Sequence, residues 1–216
     1  LITRMMYHAL RKKGRLDEYK KYVLGKINRD ELIEKYKLQE EKDSVICAKI
    51  NKDNYLNLIE QIRIRLNGGK LDIIVGGPPC QAYSYIGRAR DKNMKSDERN
   101  FLYQYYVEFL KALKPKIFIF ENVPGLESAG EGKYLKDMLH TMRRAGYTID
   151  YQILNAADFG VPQNRKRVII VGWNKDSKLK CYPEFSKVKR KYIVKDFLSD
   201  LPDLKAGEGK VIKKFS

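Results

Sequence analysis

The sequence predicts an α/β fold, a partial doubly wound and mainly parallel sheet. Three observations carry that expectation: short, almost continuously apolar β-like runs, amphipathic helical stretches between them, and Pro or Gly where each helical pattern stops. The runs are LDIIV (Leu71 to Val75), IFIFE (Ile117 to Glu121) and RVIIVG (Arg167 to Gly172). Runs of this kind suit strands covered on both faces by helices. Between the first two lies FLYQYYVEFLKALKP, where Leu102, Tyr106, Phe109, Leu110 and Leu113 fall at helical spacing and Pro115 ends the pattern. Between the second and third lies KYLKDMLHTMRRAGY, a second amphipathic helix closed by Gly146, after which TIDYQIL reads as an additional strand. Upstream, VICAKI reads as one more strand and is followed by a helix near Asn54 to Leu66. Repeated strand, helix, strand units imply right-handed crossovers, and ligands in such sheets sit beyond the carboxyl ends of the strands.

The chain has 216 residues, which is enough for one well-packed domain. Residues 1–43 are rich in Lys, Arg, Glu and Tyr and read as two or three amphipathic helices, an amino-terminal segment or insertion beside a core at 44–200. After Pro183 the chain is basic and runs through KDFLSDLPDL, a short helix, into a departing segment at 201–216. The first residue is Leu1, so a longer parent protein is expected.

With 43% hydrophobic and 33% charged residues and no apolar run near the roughly 20 residues of a membrane span, the chain reads as a soluble protein with no membrane partner. No secretory signal is visible. Cys47, Cys80 and Cys181 are far apart, so neither a disulfide framework nor a zinc site is expected, and a reducing cytoplasm fits best. The formal charge of +17 sets up a field attractive to polyanions, with nucleic acid the leading partner and a solvated lysine-rich surface the plainer alternative.

The first strand runs into GGPPCQAYS, which puts Cys80 just past a carboxyl end in a loop stiffened by Pro78 and Pro79. Gly76 and Gly77 permit close approach of another chain or a ligand. At pH 7 only roughly 3% of an ordinary thiol is thiolate, so a catalytic Cys80 needs local help, and alone it reads equally as an inert buried cysteine. The second strand ends in FENVPG and delivers Glu121 to the same edge, as a proton or hydrogen-bond donor or, alternatively, as a capping or ion-paired carboxylate. In PQNRKRVIIVG, Arg165 and Arg167 lie two apart in an extended segment, which puts both guanidiniums on one face, although such pairs are often merely solvated.

Thiol, carboxyl and paired guanidiniums thus converge where a parallel sheet holds its ligand. At this point the sequence resembles the cytosine carbon-5 DNA methyltransferase family of bacterial modification enzymes. GGPPCQAYS matches its nucleophile motif, ENVPG its glutamate motif and QNRKR its Gln-x-Arg-x-Arg motif, with DERNFL and KPKIFIFENV in matching order over about residues 45 to 200. The resemblance implies a Rossmann-like, S-adenosylmethionine-dependent fold. It implies that the Cys80 thiolate adds to carbon 6 of a flipped cytosine, that Glu121 holds ring nitrogen 3, and that Arg167, with Arg165 in support, binds the ring carbonyl or anchors Glu121. S-adenosyl-L-methionine then supplies the methyl group, with Pro79, Leu102 and Ile50 touching it. The connection 82–99, with Gly87, Arg88, Arg90, Lys92 and Lys95, is by the same likeness a loop that closes over DNA. Gln81 and Ser84 then contact the substrate backbone or fill the gap left by the base, and Arg88, Arg90, Arg99, Asn122 and Gln163 lie on the substrate side. Double-stranded DNA is the implied partner, with a cognate restriction endonuclease as a second and no metal.

The sequence departs from the family pattern in three places. The glycine-rich turn after a first strand and the ribose-binding acid are absent, and Lys49 stands in the segment Ala48 to Asn51 where an adenine-site acid is expected. The first strands and the target recognition domain are therefore expected to lie outside this sequence, and the isolated chain is expected to be inactive. Two other readings stand: a tRNA cytosine methyltransferase using the same residues, and a noncatalytic nucleic-acid-binding module. Amino-group methyltransferases carry an aromatic residue where this chain has Cys80, and a redox role for Cys80 lacks a neighbouring cysteine.

Overall fold

The computed structural model describes residues 1–79, 102–189 and 192–201. Cys80, Gln81, Ser84, Arg88, Arg90 and Arg99, with the rest of the 82–99 connection, lie outside the described residues, as does 202–216. The chain divides into two compact units, one spanning Leu1–Ile50 and the other beginning at Asn51.

The first unit holds four short helices where two or three were expected: α1 (Ile2–Lys12), α2 (Leu16–Val23), α3 (Arg29–Tyr36) and α4 (Gln39–Asp43). Their apolar stripes meet in a core of Met6, Leu10, Leu32, Ile33 and Leu38. The α3 amino terminus carries a capping box: Asn28 Oδ1 accepts from the Glu31 backbone N–H (2.9 Å) and Glu31 Oε2 accepts from that of Asn28 (3.0 Å). The unit extends a few residues past the composition shift at 43. VICAKI forms no strand; Cys47 to Ile50 are exposed and irregular. A six-residue apolar pattern becomes a strand only against a neighbour, and no described strand pairs with it.

The second unit contains α5 (Tyr55–Leu66), β1 (Ile73–Gly76), α6 (Leu102–Leu113), β2 (Ile117–Asn122), α7 (Gly125–Ser128), α8 (Lys133–Arg144), β3 (Thr148–Asn155), β4 (Lys166–Trp173) and α9 (Lys195–Leu198). The expected helices and strands after Asn54 therefore form within a few residues of their predicted bounds. Gly146 ends the α8 region with φ +97, a conformation that side-chain-bearing residues rarely adopt.

The described sheet has the order β1-β2-β4-β3. β1 pairs parallel with β2, whereas β4 pairs antiparallel with both β2 and β3. Three strands thus run one way, as expected of a mainly parallel sheet, and β4 runs against them. The reversal corrects the reading of RVIIVG as another crossover-linked parallel strand. The β3–β4 connection, 156–165, is too short for a parallel crossover, which takes about a dozen residues or more.

One sheet face carries the main core, with Ile153 toward the end of β3 left 40% exposed. Phe118, Phe120, Val168, Ile170 and Ile149 meet Val107 and Leu110 of α6 and Leu135, Met138 and Met142 of α8. On the other face, Val171 and Trp173 are covered by Tyr182 and Leu179, but Ile73 and Val75 of β1 are 44% and 67% exposed. The expectation of cover on both faces therefore holds for β4 and not for β1, an edge strand among the described residues. Tyr106 ties the sheet to α6: its hydroxyl donates to the Ile119 carbonyl (3.0 Å) and lies 3.4 Å from that of Ile74, so one helix residue joins β1 and β2.

Candidate active site

β4 runs backwards, so its first residues, not its last, reach the carboxyl end of β2. Glu121 pairs with Ile169 and Asn122 with Val168 in the ladder, placing Arg167 one step beyond Val168 at the same edge. A parallel β4 would have carried both arginines to the opposite edge. Arg167 Nε forms an ion pair with Glu121 Oε1 at 2.6 Å, and Arg165 Nη2 lies 3.9 Å from the same oxygen. Both guanidiniums lie toward Glu121 Oε1, but unequally. Side-chain exposures of 23% for Arg167, 39% for Glu121 and 48% for Arg165 describe an open ion pair that water reaches, with Arg167 the best held.

The other carboxylate oxygen faces the exit of β1. A Cβ built on Gly77 would lie 2.7 Å from Glu121 Oε2 and 3.3 Å from the Glu121 carbonyl oxygen. The glycine was expected to admit another chain or a ligand; what approaches it is the Glu121 carboxylate. Gly76 plays the same part toward the Tyr106 ring, 2.7 Å from the place its Cβ would take. Glu121 is thus wedged between two sequence motifs, with one oxygen toward the guanidiniums and one toward the GGPP backbone.

Asn122 joins these motifs from inside the protein. It is 3% exposed, its Oδ1 accepts from the Val123 N–H (2.9 Å), and its Nδ2 is 3.5 Å from the Pro78 carbonyl. Its amide is engaged within the protein, between ENVPG and the segment that leads to Cys80. Gln163 is exposed on the β3–β4 connection, Pro79 is exposed, and Leu102 is half-buried at the start of α6. Ile50 is 41% exposed in the first unit. Among the described residues no group of three or more His, Cys, Asp or Glu side chains is placed to hold a metal, and no helix is long and apolar enough to cross a membrane.

Sequence reasoning missed Asn155, the last residue of β3. Its Oδ1 accepts from the Arg165 N–H (3.0 Å) and the Ala157 N–H (3.4 Å), and its Nδ2 donates to Asn164 Oδ1 (2.9 Å). An Asn directly before Ala156, where a short 3-10 turn begins, was the available signal.

A family model for C-5 cytosine-specific DNA methylase matches residues 6–215. The type II methyltransferase M.Bpa9945I of Bacillus paralicheniformis is 33% identical over 245 residues, covering 99% of this chain and 55% of that protein. M.XorII of Xanthomonas oryzae pv. oryzae is 42% identical over 135 residues, covering 62% of this chain and 30% of that protein. Among solved structures, a DNA modification methyltransferase encoded within an E. coli prophage superposes with a TM-score of 0.53 at 31% identity, covering 67% of this chain and 39% of that one. The chain therefore spans about half the length of the first relative and less of the others.

Proposed function

The chain belongs to the C-5 cytosine-specific DNA methylase family, and on that premise we propose that the full-length protein methylates carbon 5 of cytosine in duplex DNA, with Cys80 as nucleophile. The observation that carries this reading is the grip of Arg167 on Glu121 at the strand edge where β1 runs toward Cys80. A carboxyl group fixed on one side by a cation and on the other by a glycine cradle is preorganised to hold a ring nitrogen as charge develops there.

In this mechanism the Cys80 thiolate forms a bond to carbon 6 of the flipped base, and the displaced electron pair makes carbon 5 nucleophilic. Glu121 holds nitrogen 3. Arg167 keeps Glu121 in place, and Arg165, the more exposed of the pair, is free to meet the ring carbonyl. After methyl transfer a base removes the proton from carbon 5, and the electrons left behind expel the Cys80 sulfur and restore the ring. Gln81, Ser84, Arg88, Arg90, Arg99 and Gln163 are assigned to the DNA, whose phosphates the +17 charge favours.

S-adenosyl-L-methionine is the methyl donor, and its electrophilic methyl is the chemistry it brings. The residues present fit it in part. Exposed Pro79 and half-buried Leu102 at the carboxyl edge of the sheet suit an apolar ring face, but these two side chains hold nothing for the polar ends of the molecule. A role in a restriction-modification system, with a partner endonuclease and a cytoplasmic location, completes the proposal.

The test incubates the full-length protein with labelled methyl donor and either duplex DNA or tRNA, and separately with duplex DNA containing 5-fluorocytosine. Transfer to DNA together with a covalent adduct at Cys80 supports the reading. Transfer confined to tRNA, or transfer that survives Cys80→Ala, sinks it.

A further inference from the structure

We propose that Asn155 is the positioning residue of Arg165: its side-chain amide fixes the backbone from which the Arg165 guanidinium is aimed at Glu121. The inference rests on the reading that these groups act on a cytosine. Asn155 is the last ladder residue of β3 and faces Lys166, the residue between the two arginines. Its Oδ1 takes the Arg165 N–H, and the N–H of its neighbour Ala156 donates to the Arg165 carbonyl at 3.0 Å. Both backbone polar groups of Arg165 are therefore claimed from Asn155 and the residue after it.

One amide serves three contacts: its Oδ1 accepts from the Arg165 and Ala157 N–H groups while its Nδ2 donates to Asn164 Oδ1, and a carboxylate in its place keeps the acceptor for Arg165 and loses only the donor. Arg165 is half exposed, so burial does little to aim its long side chain, and its direction is inherited from the backbone. A misplacement of about 1 Å at a reacting centre can cost on the order of a hundredfold in rate.

The test is a double-mutant cycle on the full-length protein, with Asn155→Ala, Arg165→Ala and their combination assayed for methyl transfer to duplex DNA. Asn155→Ala lowers kcat about tenfold or more and leaves KM for DNA within about threefold; in the Arg165→Ala background the same change costs no more than about twofold. Equal losses in both backgrounds overturn the proposal, because a merely structural residue acts independently of Arg165. Should Asn155→Ala fail to fold, Asn155→Asp keeps the acceptor for Arg165 and retains at least about a third of the wild-type kcat; a folded Asn155→Asp that loses activity tenfold overturns it equally. A wild-type protein without transfer or adduct sinks the catalytic reading alone. Positioning is then read from the nitrogen-15 signals of the arginine side chains. Those of Arg165 sharpen to a mobile guanidinium in Asn155→Ala if the proposal holds and stay unchanged if it does not.

Discussion

Gly77 and Glu121 touch across the ends of neighbouring strands: the place a Gly77 Cβ would occupy is 2.7 Å from Glu121 Oε2 and 3.3 Å from the Glu121 carbonyl oxygen. The carboxylate can swing away from an added methyl, but the carbonyl belongs to the β2 backbone and cannot. Gly77→Ala therefore turns Glu121 out of its pairing with Arg167. Methyl transfer by the full-length protein is expected to fall about 10- to 100-fold. The melting temperature changes little, because Gly77 is exposed. Steady-state kinetics beside a thermal melt check this, and an unchanged rate refutes the cradle.

The arginines differ in their hold on Glu121, 2.6 Å for Arg167 against 3.9 Å for Arg165. Arg167→Ala is expected to lower kcat by roughly 100- to 1,000-fold, as removal of a preorganised charge does, and Arg165→Ala by less. Arg167→Lys restores little, since an ammonium lacks the fixed planar donors of a guanidinium. If Arg165→Ala proves the more damaging, the assignment of anchor and partner is reversed.

Gly172 lies opposite Phe118 in the β2–β4 ladder, and a Cβ there would lie 2.0 Å from Phe118 Cε1 and 2.3 Å from its Cζ. The ring is fully buried against Tyr147, 5.1 Å between centroids. Gly172→Ala is expected to destabilise the chain by about 1–3 kcal/mol or more through overpacking. Urea titration measures the loss, and Phe118→Leu in the same chain should recover part of it. Independent, additive losses would show that the ring and the glycine do not conflict.

The strands and helices after Asn54 were legible because each run is long enough to declare its period, and Pro115 and Gly146 mark where two helical patterns stop. The convergence of Glu121 with Arg165 and Arg167 was legible as a motif. The reason for it was not, since it depends on β4 running backwards, and an apolar run such as RVIIVG carries no sign of its own direction. What gave the direction away is the shortness of the 156–165 connection. Asn155 was invisible for a similar reason: its bonds go to residues nine and ten positions on, across a turn whose shape the sequence leaves open. VICAKI shows the converse, an apolar pattern that pairs with no strand among the described residues and remains irregular.

Three tyrosine hydroxyls donate to carbonyls of the second unit: Tyr106 to Ile119 (3.0 Å), Tyr147 to Pro115 (2.9 Å) and Tyr182 to Ile169 (3.1 Å). Burial pushes the Tyr147 phenol up to about 12, burial followed by the Asp150 charge does the same for Tyr182, and burial raises Tyr106 still further. An unfolded phenol ionises near about 10. Below that pH the phenols are protonated in both states and their stabilising contribution is complete. Above it the folded chain keeps protons that the unfolded chain has lost, so unfolding releases protons and stability falls as pH rises from about 10 through about 12. Denaturant midpoints followed across this range should decline in step with a late rise in phenolate absorbance. Tyr147→Phe costs about 1 kcal/mol at neutral pH for the lost bond to Pro115 and flattens the alkaline decline. A midpoint constant from pH 10 to 12, or a Tyr147→Phe chain that declines as steeply as the wild type, would show that these hydroxyls do not hold the sheet.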